Sequence, residues 1–501
     1  MSNGQPGAPA ERELSRAARE VAIYGVLLSA AVFIYMLVHA YGERLPMPSR
    51  PAAQLGVAAG PPGGHDADVM LHILIALSVI IAVARIGGII FRFLHQPAVI
   101  GEIVAGIMLG PSLLGRICPA AFGYLLPPMI APFLDVLAQL GIILYMFLVG
   151  LELDPRSVAR NGQAAVAISH ASIVVPFLLG TVLALRLYPE AAAAGIPFTG
   201  FSLFIGVSMS VTAFPVLSRI LSDLGLNKTP LGITVLTCAA VDDVTAWCLL
   251  AVVVGVVEAH GTGSLITVAM AVAYIVLMIV LVRPTMVRLA LRQEGAERVT
   301  QGVMAIVFIL LLVSALSTEL IGIHAMFGAF AIGTIIPSDS KLARDMTDRL
   351  EDVLVVLLLP TFFALTGLRT RIGLVSGQEA WLLCGLTVLV ASVGKFGGSF
   401  VAARLTGFSW RDASTLGVLM NTRGLAELIV LNIGLQLRVI NPKVFAMLVV
   451  MSLVTTLATT PILSLIRRDE LAAVRSERGI SHFAWLRRGI HKQVELRGRS
   501  A

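Results

Sequence analysis

Charge is scarce in this sequence: 13% of its 501 residues are Asp, Glu, Lys or Arg, against 57% that are hydrophobic. That is far too little charge to coat a soluble globule, and the mean hydropathy of +0.89 makes lipid the main solvent. Cysteine is scarcer still. The four present, Cys118, Cys238, Cys248 and Cys384, are scattered in a way that excludes a disulfide framework and any metal-site spacing. No Walker-type GxxxxGK loop and no HExxH motif occurs, so ATP-driven and zinc-protease chemistry have no visible residues, and no cofactor is expected. The alternating polarity of barrel strands is missing too.

What is present is a succession of apolar runs of roughly 20 residues, the length a helix needs to cross the hydrocarbon layer. They predict an all-α polytopic membrane protein. One span is expected at 21–41 and thirteen more at 69–95, 97–115, 133–153, 164–187, 198–224, 229–257, 263–287, 299–320, 323–337, 350–373, 379–406, 411–436 and 443–466. The chain then divides into an N-terminal tail (1–20), the extra span with a Pro/Gly-rich linker (21–68), a membrane domain (69–466) and a basic tail (467–501). A cleaved secretory signal is the competing reading of 21–41. Its apolar stretch exceeds an h-region and no clean cleavage site follows, so a retained helix is expected.

The net charge of +7 reads as orientation rather than as a nucleic-acid surface. With the N-terminus cytoplasmic, alternate sides of these spans hold 26 and 8 Lys and Arg, with only Arg85, Lys395 and Arg423 inside spans. That asymmetry predicts a cell-membrane protein with a cytoplasmic C-terminus. Arg487, Arg488 and Lys492, beside Phe483, Trp485, Leu486 and Ile490, suit either an amphipathic helix on the anionic leaflet or a solvated tail.

An internal repeat says where to look. Phe147-Leu148-Val149-Gly150-Leu151 ends the third core span and Ala364-Leu365-Thr366-Gly367-Leu368 ends the tenth. Gly101 and Gly106 before Pro111 are matched, again seven spans later, by Gly328 and Gly333 before Pro337. Seven is odd, so the copies run inverted, a common build for secondary transporters in which two interrupted helices cross at mid-depth. The breaks are expected at Ser208 to Pro215, where Pro215 removes a backbone donor, and at Asn421-Thr422-Arg423-Gly424, its counterpart seven spans on.

Charges inside such spans are expensive and by default functional. Asp242 and Asp243 fall mid-span, as do Lys395, Arg423 and Glu427. Two neighbouring carboxylates in a poorly hydrated site cannot both ionise cheaply, which suits the pair to take up and release a proton. A hard monovalent cation needs oxygen ligands and competes with the proton for the same carboxylate; Thr212 and free carbonyls of the broken helix are expected to complete its shell. Successive helix residues point about 100° apart, so the two acids should play distinct parts. Lys395 is the buried partner expected for one of them, a purely structural ion pair being the competing reading. Arg423 and Glu427 are spaced to pair along their helix and offset the dipole ends at the break. Arg85, Glu102 and His170 read as bundle contacts or cavity-lining residues.

The stretches Ala239-Ala240-Val241-Asp242-Asp243-Val244-Thr245-Ala246-Trp247 and Met420-Asn421-Thr422-Arg423-Gly424-Leu425-Ala426-Glu427-Leu428 resemble the Kef/Nap and plant CHX branch of the cation:proton antiporters, as do Pro97 to Ser112 and Leu148 to Asp154. The resemblance implies an Nha-like inverted-repeat fold and a homodimer working by elevator-like alternating access on Na+ or K+ and protons. Asp243 matches the family's ion-binding aspartate. Asp242 matches the preceding acid that many members pair with a lysine, here Lys395. Members with Asn in place of that first acid tend to be electroneutral, so electrogenic exchange of two protons per cation is implied. Two departures stand out. The better-known bacterial sodium antiporters carry an acid after the broken-helix threonine, where this chain has Ala213. Kef-type potassium systems append a nucleotide-binding domain, and the stretch after Arg467 is too short for one. A gated potassium-efflux pathway and a same-fold symporter are the alternatives.

Overall fold

The computed structural model describes residues 29–45, 66–94, 96–152, 162–191, 196–223, 226, 229–258, 263–295, 299–321 and 324–467. The expected tails, most of the Pro/Gly-rich linker and the first part of the extra N-terminal span lie outside the described residues.

Long apolar stretches in lipid must satisfy their own backbone, and the chain does so with helices. In order these are α1 (Ser29–Gly42), α2 (Asp66–Phe93), α3 (Ala98–Leu109), α4 (Ala131–Glu152) and α5 (Gly162–Ala191). Next come α6 (Phe198–Ser210), α7 (Phe214–Asp223), α8 (Pro230–Glu258), α9 (Gly263–Leu277), α10 (Arg283–Gln293) and α11 (Gln301–Ile321). The series ends with α12 (Ala325–Ile335), α13 (Lys341–Val353), α14 (Leu359–Arg369), α15 (Gln378–Leu405), α16 (Trp410–Met420), α17 (Leu425–Gln436) and α18 (Pro442–Ile466). Ten stretches of the described chain are helical, long and apolar enough to cross a membrane.

Two expected spans run on through a π turn without a break in the helix. A π turn at Met278–Val282 joins α9 to α10, and another at Leu354–Leu358 joins α13 to α14. Each directly precedes a helix with proline in its first turn, where the missing N–H costs least.

The repeat is visible in the packing. α3 packs on α14, and α4 on α12, so each half-repeat leans on the other copy. Both contacts are glycine to glycine. A Cβ on Gly367 would stand 2.4 Å from the Gly106 carbonyl carbon, and one on Gly333 would stand 2.8 Å from the Gly150 Cα. Exchanging the two copies turns one pair into the other, which is the mark of a pseudo-two-fold axis. The arms of the crossing repeat the theme: Gly206 on α6 faces the ring of Phe177, and Gly417 on α16 faces the ring of Phe396, both with a 2.9 Å nearest approach for an added Cβ.

Twelve of the core spans sort into two groups of six. α2, α3, α4, α11, α12 and α14 pack on one another; α5, the interrupted α6–α7, α8, α15, the interrupted α16–α17 and α18 form the second group; the α9–α10 span touches both α8 and α11, and the groups meet through apolar side chains rather than close backbone approach. α1 lies on the second group: its Tyr35 ring meets Phe177 and His39 reaches the Thr199 hydroxyl at 2.9 Å. Among the described residues the charges expected at mid-span all lie in this second group.

Candidate ion-binding site at the helix crossing

The line of α6 and α7 is interrupted at Val211 to Ala213, and that of α16 and α17 at Asn421 to Gly424. Pro215 sits in the first turn of α7, so the helix restarts where a proline is tolerated. The two breaks touch: the Ala213 N–H donates to the Thr422 carbonyl at 3.2 Å. Gly424 lets α7 approach, since a Cβ there would lie 2.6 Å from Val216 Cγ2.

Every helix end leaves carbonyls without an intrahelical donor, and the C-terminal end carries the negative pole of the dipole. At the end of α6 two buried cations meet this need. Arg423 donates from Nη1 to the Ser208 carbonyl at 2.9 Å and from Nη2 to the Met209 carbonyl at 2.7 Å. Lys395, on α15, donates to the Ser210 carbonyl at 2.5 Å. The carbonyls expected to be free for a cation are therefore engaged at this end of the break. A planar two-pronged guanidinium suits two consecutive carbonyls, and Arg423 also pairs with Glu427 at 3.0 Å, both side chains being fully buried. At the second break the freed backbone is satisfied by hydroxyls of α18. Thr456 accepts from the Arg423 N–H at 3.0 Å and donates to the Arg423 carbonyl at 2.7 Å, while Thr422 and Thr459 hydroxyls stand 3.4 Å apart. Asn421 caps α16 through its backbone, and its Oδ1 is buried without a partner among the described residues.

The two acids of α8 have unlike surroundings. Asp242 accepts four hydrogen bonds: Oδ1 from Ser169 at 2.5 Å, and Oδ2 from Ser172 at 2.5 Å, Thr212 at 2.7 Å and Lys395 at 3.0 Å. Lys395 uses its third donor on the Ser172 carbonyl at 3.0 Å, so all three ammonium protons are engaged. Asp243 receives the Phe214 N–H from the start of α7, but its Oδ1 is buried with no partner among the described residues. A buried carboxylate oxygen left unpaired is costly and rare, and a cation or a proton are the two species that complete it. Thr212, expected beside Asp243, thus gives its proton to Asp242 and keeps only its oxygen lone pairs for a cation.

Sequence reasoning missed Ser169, Ser172 and Thr456. The first two are spaced three apart on one face of an otherwise apolar helix, a signal masked by the more conspicuous His170 between them. The Nδ1 of His170 bonds to the Val166 carbonyl at 2.8 Å, and Arg85 donates to the Val355 carbonyl at 3.2 Å.

Paired interrupted helices crossing beside a buried acid pair and two buried cationic side chains define a polytopic helical membrane protein with a charged centre. The chain belongs to the sodium/hydrogen exchanger transmembrane family, whose model matches residues 78–466. It is 45% identical over 400 residues to the Na(+)/H(+) antiporter NhaS4 of Synechocystis sp., covering 79% of this chain and 97% of that one. To the Arabidopsis thaliana Cation/H(+) antiporter 20 it is 41% identical over 403 residues, 78% of this chain but only about half (48%) of the plant protein's length. Among solved structures it is similar to the sodium proton antiporter MjNhaP1 of Methanocaldococcus jannaschii, with a TM-score of 0.61 at 15% identity, covering 81% of this chain and 99% of that one, a likeness of fold.

Proposed function

We propose that this chain is a secondary active antiporter that exchanges Na+ or K+ for protons by alternating access, with Asp243 as the site the two ions share. The observation that carries this reading is the contrast on α8: Asp242 is saturated with donors, whereas Asp243 holds a buried carboxylate oxygen with no partner among the described residues. A group in that state is completed by a cation or by a proton, and not by both. Competition for one carboxylate couples the two fluxes without ATP.

Asp242 and Lys395 form the second element. The ammonium's three bonds tie it to α5, to the end of α6 and to α8, and a cation arriving at the neighbouring acid weakens its hold on the proton by like-charge repulsion. Release of that second proton makes the exchange electrogenic, two protons per cation. Arg423, Glu427, Asn421, Thr422, Gly424 and Pro215 support the crossing rather than bind the ion. The charge asymmetry of the loops supports fourteen crossings with a cytoplasmic C-terminus, and the family resemblance supports a homodimer.

The test is cation-induced pH change in proteoliposomes, scanning Na+, K+ and Li+ with the membrane voltage clamped and unclamped. Proton movement that depends on voltage is expected with at least one cation. No proton movement with any of them overturns the antiport reading, and voltage-independent exchange overturns the role given to Lys395.

A further inference from the structure

The acid pair is shut away, with Asp242 fully buried and Asp243 only 3% exposed. A chain that passes ions through such a site must open it towards each side in turn. Within each six-span group the backbones approach closely, whereas the two groups meet through apolar side chains, among them the Trp247 and Phe327 rings 6.2 Å apart. Such contacts are non-directional and let one group shift against the other, so this joint is the place for opening.

At one end of the joint the boundary is spanned by polar groups. Arg369, the last residue of α14, donates from Nη2 to Asp135 Oδ1 at 2.6 Å, on α4 of its own group. Its other prong, Nη1, donates across the joint to Asn432 Oδ1 at 2.9 Å, on α17. Asn432 answers with Nδ2 to the Thr366 hydroxyl of α14 at 3.0 Å. The side chains of His324 and Gln436 add a hydrogen bond between the same two groups. A cavity of about 20 Å³ is lined in part by Asp135, Thr366, Arg369, Asn432 and Gln436.

We propose that Asp135, Arg369 and Asn432 are a latch that holds this end of the joint closed and parts in each transport cycle. The proposal rests on the exchanger reading given above. The division of strengths fits a contact made to break. The charged pair stays inside one group and keeps the guanidinium aimed, while the bond across the joint goes to a neutral amide and carries no ion-pair attraction. Arg369 is 24% exposed, so water can take the place of its bond to Asn432, which is itself 4% exposed while the joint is closed. Asn432 also lies five residues beyond Glu427 on the same half of the interrupted helix, so release of the latch acts directly on the crossing.

A cysteine pair, Thr366→Cys with Asn432→Cys, tests this in the full chain reconstituted into liposomes. Oxidative or short bifunctional cross-linking should abolish exchange and reduction should restore it, while the two single variants, which control for the native cysteines, should not respond to the oxidant. Full exchange by the cross-linked protein, or failure of the pair to cross-link, overturns the latch. Hydrogen exchange on detergent-purified Asn432→Leu separates this from the function itself: faster deuterium uptake is expected in 362–372 and 428–436, and unchanged uptake contradicts the proposal even if no cation moves protons.

Discussion

Asp242 and Asp243 are consecutive in the chain and opposite in their surroundings. Three hydroxyls and Lys395 donate to Asp242, while Asp243 Oδ1 accepts from nothing among the described residues. The turn of about 100° between neighbours on a helix is enough to place one acid against α5 and α15 and the other against the start of α7.

The Asp242 and Lys395 pair should be strongly coupled. Lys395→Ala strands a buried carboxylate and the Ser210 carbonyl, and losing one partner of a buried pair costs roughly 3–5 kcal/mol. The double variant Asp242→Asn/Lys395→Ala should be less destabilised than the two single effects summed. Thermal unfolding of the purified proteins reads this; simple additivity means the two do not form an energetic pair.

Arg423→Lys should fail to replace the arginine. One ammonium cannot span the Ser208 and Met209 carbonyls and also reach Glu427 as the planar fork does. A fall in melting temperature nearly as large as that of Arg423→Ala is expected, and near wild-type stability would show that only the charge matters.

Cation affinity should weaken as pH falls. If a proton and the cation compete for Asp243, protonation removes the ligand, so the apparent KM rises below the site's own titration by about tenfold per pH unit for a single competing proton. Exchange rates measured across cation concentration at several pH values give the slope. A pH-independent KM is incompatible with a shared carboxylate.

Gly367→Ala should disturb the fold rather than the ion site. Its Cβ would meet the Gly106 carbonyl carbon at 2.4 Å, with backbone on both sides, and such overpacking costs typically 1–3 kcal/mol. Lower thermal stability with an unchanged KM is expected, whereas a changed KM at unchanged stability would place this contact in the transport site.

Much of the architecture could be read from the chain because lipid imposes strict rules. Apolar length located the helices, glycine spacing located the repeat, and the cost of buried charge singled out the acids, Lys395, Arg423 and Glu427. What could not be read was which atom meets which. The two glycine pairs fall between copies, Gly106 with Gly367 and Gly150 with Gly333, a pairing that linear matching of like with like does not reveal. The hydroxyl of Thr212 went to the other acid because Ser169 and Ser172 bring Asp242 towards α5, and a serine on an apolar helix carries no directional signal in sequence. Asp135, Arg369 and Asn432 lie near helix ends, where charge is cheap and passes unnoticed.

The most direct test is proton release when a cation is added to the purified protein in weakly buffered detergent. Wild type should acidify the solution on addition of the transported cation, and Asp243→Asn, still folded, should release nothing. Cation binding without proton release, or equal release by Asp243→Asn, would contradict the claim that one carboxylate serves both ions.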